Sequence, residues 1–255
     1  MAARLAQPMS PRLYADLASW WPLLSDPEDY RAEARLVLDL LSCVLGGPPG
    51  SLLELGSGGG HLACHLPAAL EVVLLDLSPT MLEVSRQRNP VRAHVLADMR
   101  QAELGRRFDA VLLHDAAMYL LEAEDLAQAC GVAAAHLLPG GAFLMLPDVV
   151  AEEFEEGTVT GGGEAPDGRA ARLTEWVWDP DPQDGRYRVD MSLLLRDADG
   201  TMRAVHDVHE MALRSRAQWW AGVRAAGLVP VEAPPLLAAR FGGEVFLARK
   251  PGNGG

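Results

Sequence analysis

The sequence predicts an α/β protein: a doubly wound, mostly parallel seven-stranded sheet with helices on both faces, preceded by a helical segment and carrying an antiparallel β insertion. Three observations predict it. Short apolar runs at 51–55, 72–77, 92–96, 108–113 and 142–146 alternate with helical stretches, the pattern of strands buried between crossover helices. The first run enters Glu54-Leu55-Gly56-Ser57-Gly58-Gly59-Gly60, a tight turn whose glycines permit positive φ and close approach of a ligand to the backbone. Beyond residue 149 the chain instead alternates apolar and polar side chains between turn signals, the period of antiparallel strands.

The elements follow in four parts. In residues 1–49, Ser25-Asp26-Pro27-Glu28 offers a cap and an early proline for a helix over 30–45, which Gly46-Gly47-Pro48-Pro49 stops. Upstream, Leu13-Tyr14 to Trp20-Trp21 is rich in aromatic residues. Residues 50–148 hold the alternating strands and helices. The helix after Gly60 is short and ends at Pro67, and the next starts at Ser78-Pro79, a serine cap followed by proline at the first helical position. Residues 149–213 open on Glu152 to Glu156 and a glycine-rich loop around Gly161-Gly162-Gly163. They continue as strands at 173–178, 186–193 and 201–213, inserted into the parallel sheet or extending it. Residues 214–255 supply a helix over 215–227, strands at 228–232 and 244–249, and a disordered Gly-Asn-Gly-Gly tail.

Glu54, Asp76, Asp98 and His114 fall at or just after strand ends, where open α/β sheets bind ligands. Asp76 closes the second apolar run, twenty positions after Gly56, a placement suited to ribose hydroxyls. A dinucleotide fingerprint would need glycine at position 61, which is His61. The pattern therefore points to an adenosine-bearing cofactor that is not a dinucleotide.

Glu54-x-Gly56-x-Gly58-x-Gly60, Asp76, Ala97-Asp98-Met99, the run 108–113 and Leu137-Leu138-Pro139-Gly140-Gly141 stand in the order found in class I S-adenosylmethionine-dependent methyltransferases, which residues 50–148 resemble. The resemblance implies S-adenosyl-L-methionine as cofactor, contacted by Glu54, Gly56, Ser57, Gly58, Gly60, Asp76, Leu77, Met81, Asp98, Met99 and His114. It also implies that the N-terminal segment is a lid, with Tyr14 and Tyr30 over the donor, and that the last two strands form an antiparallel hairpin at the sheet edge. Tyr119, the meander, Asp207-Val208-His209, a helix and the hairpin follow in an order similar to the N,N-dimethyltransferases of amino sugars in macrolide biosynthesis. His114-Asp115 departs from that group, which carries apolar and serine-like residues there.

Methyl transfer from a sulfonium needs in-line alignment and, for a protonated nucleophile, a base. His114, Asp115, Tyr119 and His209 are the catalytic candidates. His114 is expected as a neutral imidazole at the mouth of the crevice, with His209 as the second base candidate beside Asp207 on one strand face. His114, His206 and His209 show no helical His pair and no cysteine pair, so no metal site is expected.

Composition bounds the function further. With 35 acidic against 22 basic residues, a formal charge of −13 and Lys250 as the single lysine, a phosphate-backbone partner is not expected; the arginines between 86 and 107 read as solvated charges. No apolar run approaches a membrane span, and Met1 to Pro11 lacks the apolar core of a signal peptide. Cys43, Cys64 and Cys130 have no CxxC spacing and read as small buried hydrophobes in a reducing, cytoplasmic compartment. The expected partners are a small-molecule acceptor and, through the β insertion, a second copy in a homodimer. Two other classes fit more weakly: an NAD-dependent oxidoreductase on a similar sheet, and a non-catalytic S-adenosylmethionine-binding protein.

Overall fold

The computed structural model describes residues 11–241 and 243–252. The reading of residues 1–10 as lacking a signal sequence, and of 253–255 as a disordered tail, lies outside the described residues.

The parallel strands are β1 (Ser51–Leu55), β2 (Glu71–Asp76), β3 (Ala93–Leu96), β4 (Phe108–His114) and β5 (Leu137–Leu146). Four further strands form the insertion: β6 (Gly157–Gly161), β7 (Ala170–Trp178), β8 (Arg186–Arg196) and β9 (Met202–Ala212). β10 (Val229–Pro230) and β11 (Phe246–Arg249) complete the main sheet, whose order is β10-β11-β5-β4-β1-β2-β3. β11 runs antiparallel to both β10 and β5. β1 lies between β2 and β4, so the strand order reverses at β1 and opens a crevice there.

Alternate residues along the strands face two separate cores. Leu53, Leu55, Val111, Leu113 and Phe143 pack on one side, and Leu52, Leu74, Leu112 and Leu144 on the other, which is why these strands read as unbroken apolar runs. Helix α1 (Trp21–Leu24) is one turn beside a string of 3₁₀ turns; α2 (Tyr30–Leu45) buries Val37, Leu40, Leu41 and Val44 and ends at Gly46 with φ +75°. Helix α3 (Pro79–Arg88) starts where Ser78 Oγ accepts the Met81 N–H. Helix α4 (Ala123–His136) follows β4, and α5 (Arg216–Ala225) opens with a Ser215–Gln218 capping box.

The structure corrects several expectations. After Gly60 only a 3₁₀ turn forms, Ala63–His65, because glycines before it and Pro67 after it leave too few residues for an α-helix. The insertion neither joins nor extends the parallel sheet; it is a separate four-stranded antiparallel sheet in the order β6-β7-β8-β9. β6 falls in the stretch read as a glycine-rich loop: every residue of this edge strand is exposed, so no alternating burial marked it. Helix α6 (Pro235–Phe241), against α2, lies between the last two strands, where the sequence reading placed no element. Cys43 is exposed, since it lies on the face of α2 opposite its buried stripe.

Candidate active site

The glycine turn after β1 builds one wall of the crevice. Gly56, Gly58 and Gly60 have φ of +70°, +52° and +68°, the left-handed region that side chains rarely adopt. Gly56 also admits close approach, since a Cβ there would lie 2.3 Å from that of Ala116. A Cβ on Gly60 would meet Ser85 and Asn89 instead, so Gly60 serves packing against α3 and does not face the crevice. Asp76 fastens the turn: its carboxylate accepts the Gly58 N–H at 2.7 Å and the Ser78 N–H at 2.8 Å.

Asp76 stands on the rim of a cavity of about 550 Å³ walled by Tyr14, Leu77, Ser78, Met99, Ala116 and Tyr119. Its shape and apolar walls suit an adenosine, with Asp76 free to accept from ribose hydroxyls through its remaining lone pairs. Met81 is buried beneath the turn and does not line it. Asp98 turns away: Arg100, two residues on, pairs with it at 2.6 Å and with Asp125 at 2.8 Å, leaving Met99 as the wall.

A narrower slot continues past the turn, lined by Tyr30, Glu54, Gly56, Ser57, His61, His114 and Asp115. Glu54 Oε2, Ser57 Oγ and both ring nitrogens of His61 are buried here without a hydrogen-bond partner among the described residues. Buried polar atoms are normally paired, so this cluster calls for a polar guest. Burial pushes the Glu54 carboxyl up to about 7 and the His61 imidazole down to about 3. The amino-acid end of S-adenosylmethionine, an ammonium and a carboxylate, meets this donor and acceptor set, so the residues present fit that cofactor.

His114 does not stand as a neutral imidazole. Its Nε2 lies 2.9 Å from Asp115 Oδ1 and 3.1 Å from Glu33 Oε1. Burial alone would lower its pKa, but the two carboxylates outweigh burial and raise it well above 6.5. His114 is thus an imidazolium beside the slot, without the lone pair a base needs. Asp115 has φ +47°, the one positive φ outside glycine among the described residues, and this turns its carboxylate toward both His114 and Asp148. Burial and the Asp115 charge raise the Asp148 carboxyl well above its usual range. Both acids line a cavity that opens between the N-terminal turns and the insertion.

That second cavity, about 460 Å³, lies between the N-terminal turns and the inner face of the insertion. Tyr14 and Tyr119 separate it from the adenosine cavity, and Asp115 and Trp21 separate it from the slot. Tyr119 joins a buried chain of polar groups. Its hydroxyl is 3.0 Å from that of Tyr14 and 2.6 Å from His209 Nδ1, and His209 Nε2 is 3.2 Å from Asp207 Oδ2. Burial would raise Asp207, but His209 and the N–H groups of Leu13 and Arg12 outweigh it and hold the carboxyl down to about 2. Those N–H bonds anchor the N-terminal turn to β9, while Ser78 and Thr80 hydroxyls donate to the Tyr14 carbonyl from the opposite side. Tyr14 is therefore clamped over the crevice, and Tyr30, bonded to Ser25 at 2.9 Å, closes the slot.

Of the residues the sequence singled out, Tyr14, Tyr30, Glu54, Gly56, Ser57, Asp76, Leu77, Met99, His114, Asp115 and Tyr119 line one continuous site, with His209 behind Tyr119. Gly58 lies in the turn itself; Gly60, Met81 and Asp98 support the site from outside. His206 projects from the other side of β9 and pairs with Asp190. The sequence reading missed Trp21, Glu33, His61, Asp148 and Glu175. Asp148 carried a usable signal, since it follows the end of β5 as His114 ends β4; Glu175 carried one as an acid on the inward face between Leu173 and Val177.

Residues 52–141 match the family model described as "Methyltransferase domain". The chain is 33% identical over 206 residues, 79% of its own length and 84% of the relative's, to dTDP-3-amino-3,4,6-trideoxy-alpha-D-glucopyranose N,N-dimethyltransferase of Streptomyces venezuelae. Among solved structures it resembles Streptomyces venezuelae DesVI, with TM-score 0.76, 25% identity, and coverage of 94% of this chain and 97% of that one. It also resembles SAM-bound CalS10, an amino pentose methyltransferase from Micromonospora echinaspora, with TM-score 0.71, 27% identity and coverage of 87% and 91%.

Proposed function

Since the chain belongs to the S-adenosylmethionine-dependent methyltransferases, we propose that it methylates the amine of a small amino-sugar-like acceptor, placing one and then a second methyl group on the nitrogen. The observation that carries this reading is the junction at Tyr14, Asp115 and Tyr119, where the donor crevice and a separate acceptor-sized cavity share one wall.

When bound, S-adenosylmethionine supplies the methyl group on a sulfonium, so no residue need bond covalently to it. In our reading Asp76 holds the ribose, Met99 and Leu77 sandwich the adenine, and Glu54 with the turn backbone holds the ammonium. The His114 imidazolium, fixed by Glu33 and Asp115, offers its positive charge to the carboxylate end. Tyr14 excludes water over the sulfonium and narrows the approach to one line.

An alkyl amine arrives protonated at neutral pH and must lose a proton before it attacks. Tyr119, whose hydroxyl donates to Tyr14 before the acceptor arrives, turns its O–H to His209 Nδ1 as it accepts that proton, and Asp207 fixes the ring by accepting from Nε2. Burial raises the Tyr119 phenol well above 10, so the phenol works as a relay and not as a standing phenolate.

The finer assignments on partners and place belong to the same reading. Trp176, 59% exposed and stacked on Trp178, lies on the insertion near its edge strand β6, and we assign this face to contact with a second copy in a homodimer. The protein works in the cytoplasm on a small molecule; no helix among the described residues is long and apolar enough to cross a membrane.

The test is release of S-adenosylhomocysteine from S-adenosylmethionine on addition of a 3-amino-3,6-dideoxyhexose glycoside. Acceptor-dependent release supports the reading. Stabilisation by NAD in place of S-adenosylhomocysteine would favour an oxidoreductase, and donor binding without transfer to any amine would favour a binding protein.

A further inference from the structure

We propose that the acceptor enters as a cationic amine with no nucleotide diphosphate attached, and that Glu175 helps select it. The inference rests on the cavity between the insertion and the N-terminal turns being the acceptor site. The S. venezuelae relative is named for a dTDP-linked 3-amino sugar. In such a sugar the nitrogen is two carbons from the anomeric carbon, so the diphosphate lies within a ring's width of the reacting atom, inside the cavity or at its mouth.

The cavity is built for the opposite charge. Asp115, Asp148 and Glu175 stand in its walls, with Glu153, paired with Arg216, and Glu155 at its mouth, and among the described residues no lysine or arginine lines it. The arginines of the surrounding insertion are engaged within the chain: Arg172 with Glu164 at 2.7 Å, Arg188 with Asp190 at 2.7 Å, Arg186 with Glu122 at 2.5 Å and Arg169 with Asp167 at 2.9 Å. A diphosphate needs guanidinium, ammonium or converging N–H donors, and carboxylates at that distance repel it.

An ammonium finds the reverse. Glu175 is half-buried, points from β7 into the cavity, and has no hydrogen-bond or ion-pair partner among the described residues. The rings of Tyr14, Trp21, Phe154 and Tyr187 line the same space, and ring faces beside carboxylates recognise a cation while leaving an apolar sugar-like ring well packed. The step that supplies this substrate is then one that has already removed the nucleotide, a glycosyl transfer onto an aglycone, and methylation follows it.

The experiment compares methyl 3-amino-3,6-dideoxy-α-D-glucoside with the same sugar linked to dTDP, following S-adenosylhomocysteine release by the full-length protein. The glycoside should give a kcat/KM at least about tenfold higher, and millimolar dTDP should not compete with it. Glu175→Gln should raise KM for the glycoside about tenfold, with kcat and the Kd for S-adenosylhomocysteine nearly unchanged. A higher kcat/KM for the dTDP-linked amine, or competition by dTDP, overturns the inference and leaves the amine methyltransferase reading intact. Unchanged KM in Glu175→Gln removes Glu175 from selection. Transfer to neither sugar, with S-adenosylhomocysteine still bound, overturns the acceptor reading and the inference with it.

Discussion

The Tyr119 hydroxyl lies 2.6 Å from His209 Nδ1, although the two residues are 90 positions apart, Tyr119 in the 3₁₀ turn after β4 and His209 on β9 of the insertion. His209 is fully buried and Tyr119 faces both cavities, so the phenol links this histidine to both of them.

Tyr119→Phe breaks that link without changing shape. It should lower kcat by about 10²-fold, with S-adenosylhomocysteine affinity unchanged, and His209→Gln should do the same. The effects should not add in the double variant, because both remove one relay. Steady-state kinetics with calorimetry checks this, and additive losses would mean two independent roles.

His114→Ala removes the cation between Glu33 and Asp115. It should cost stability of about 2 kcal/mol, below the range for a fully buried pair because both acids are partly exposed. The folded pKa is raised, so this contribution is complete below about 6.5 and is lost as pH rises through the folded value. Melting temperatures of wild type and variant should therefore converge at alkaline pH. A gap that widens with pH would contradict the imidazolium.

The parallel sheet was legible because its strands are buried on both faces and read as apolar runs between glycine turns. One wall of the crevice was legible for a related reason: Glu54, Asp76 and His114 sit at strand ends, which sequence order alone locates. The state of His114 was not, because its partner Glu33 comes from a helix 81 residues away and no local pattern announces it. The second cavity was hidden likewise, as its walls come from the N-terminal turns, the segments after β4 and β5 and three insertion strands. β6 left no trace because an exposed glycine-flanked edge strand has no inward face to alternate.

Glu54 predicts a proton linked to donor binding. Burial lifts the free carboxyl to about 7, and an ammonium beside it favours the charged form. S-adenosylmethionine binding at pH 7 should release roughly half a proton from this group, and affinity should rise from pH 6 to pH 8 and then level. Calorimetry in buffers of different ionisation enthalpy reads the release, which Glu54→Gln should abolish. Proton uptake, or none, would place the ammonium elsewhere.

Gly56→Ala adds a methyl that meets Ala116 at 2.3 Å and sits at φ +70°. The loop carrying Asp115 must move, at a cost of about 1–2 kcal/mol for the backbone alone. S-adenosylhomocysteine affinity should fall at least about tenfold while the circular dichroism spectrum stays native. Gly46→Ala, also at positive φ but with open space around it, should lower stability without changing affinity, separating strain from contact with the site.

The most direct test of the account is where the methyl group goes. Turnover with ¹³C-methyl-labelled S-adenosylmethionine and a 3-amino-3,6-dideoxyhexose glycoside, followed by heteronuclear NMR, locates the label in the product. The account predicts label on the sugar nitrogen, first as a monomethylamine and then as a dimethylamine. Label on a hydroxyl oxygen would contradict it, since the acidic cavity and the Tyr119–His209 relay would then be serving a different nucleophile.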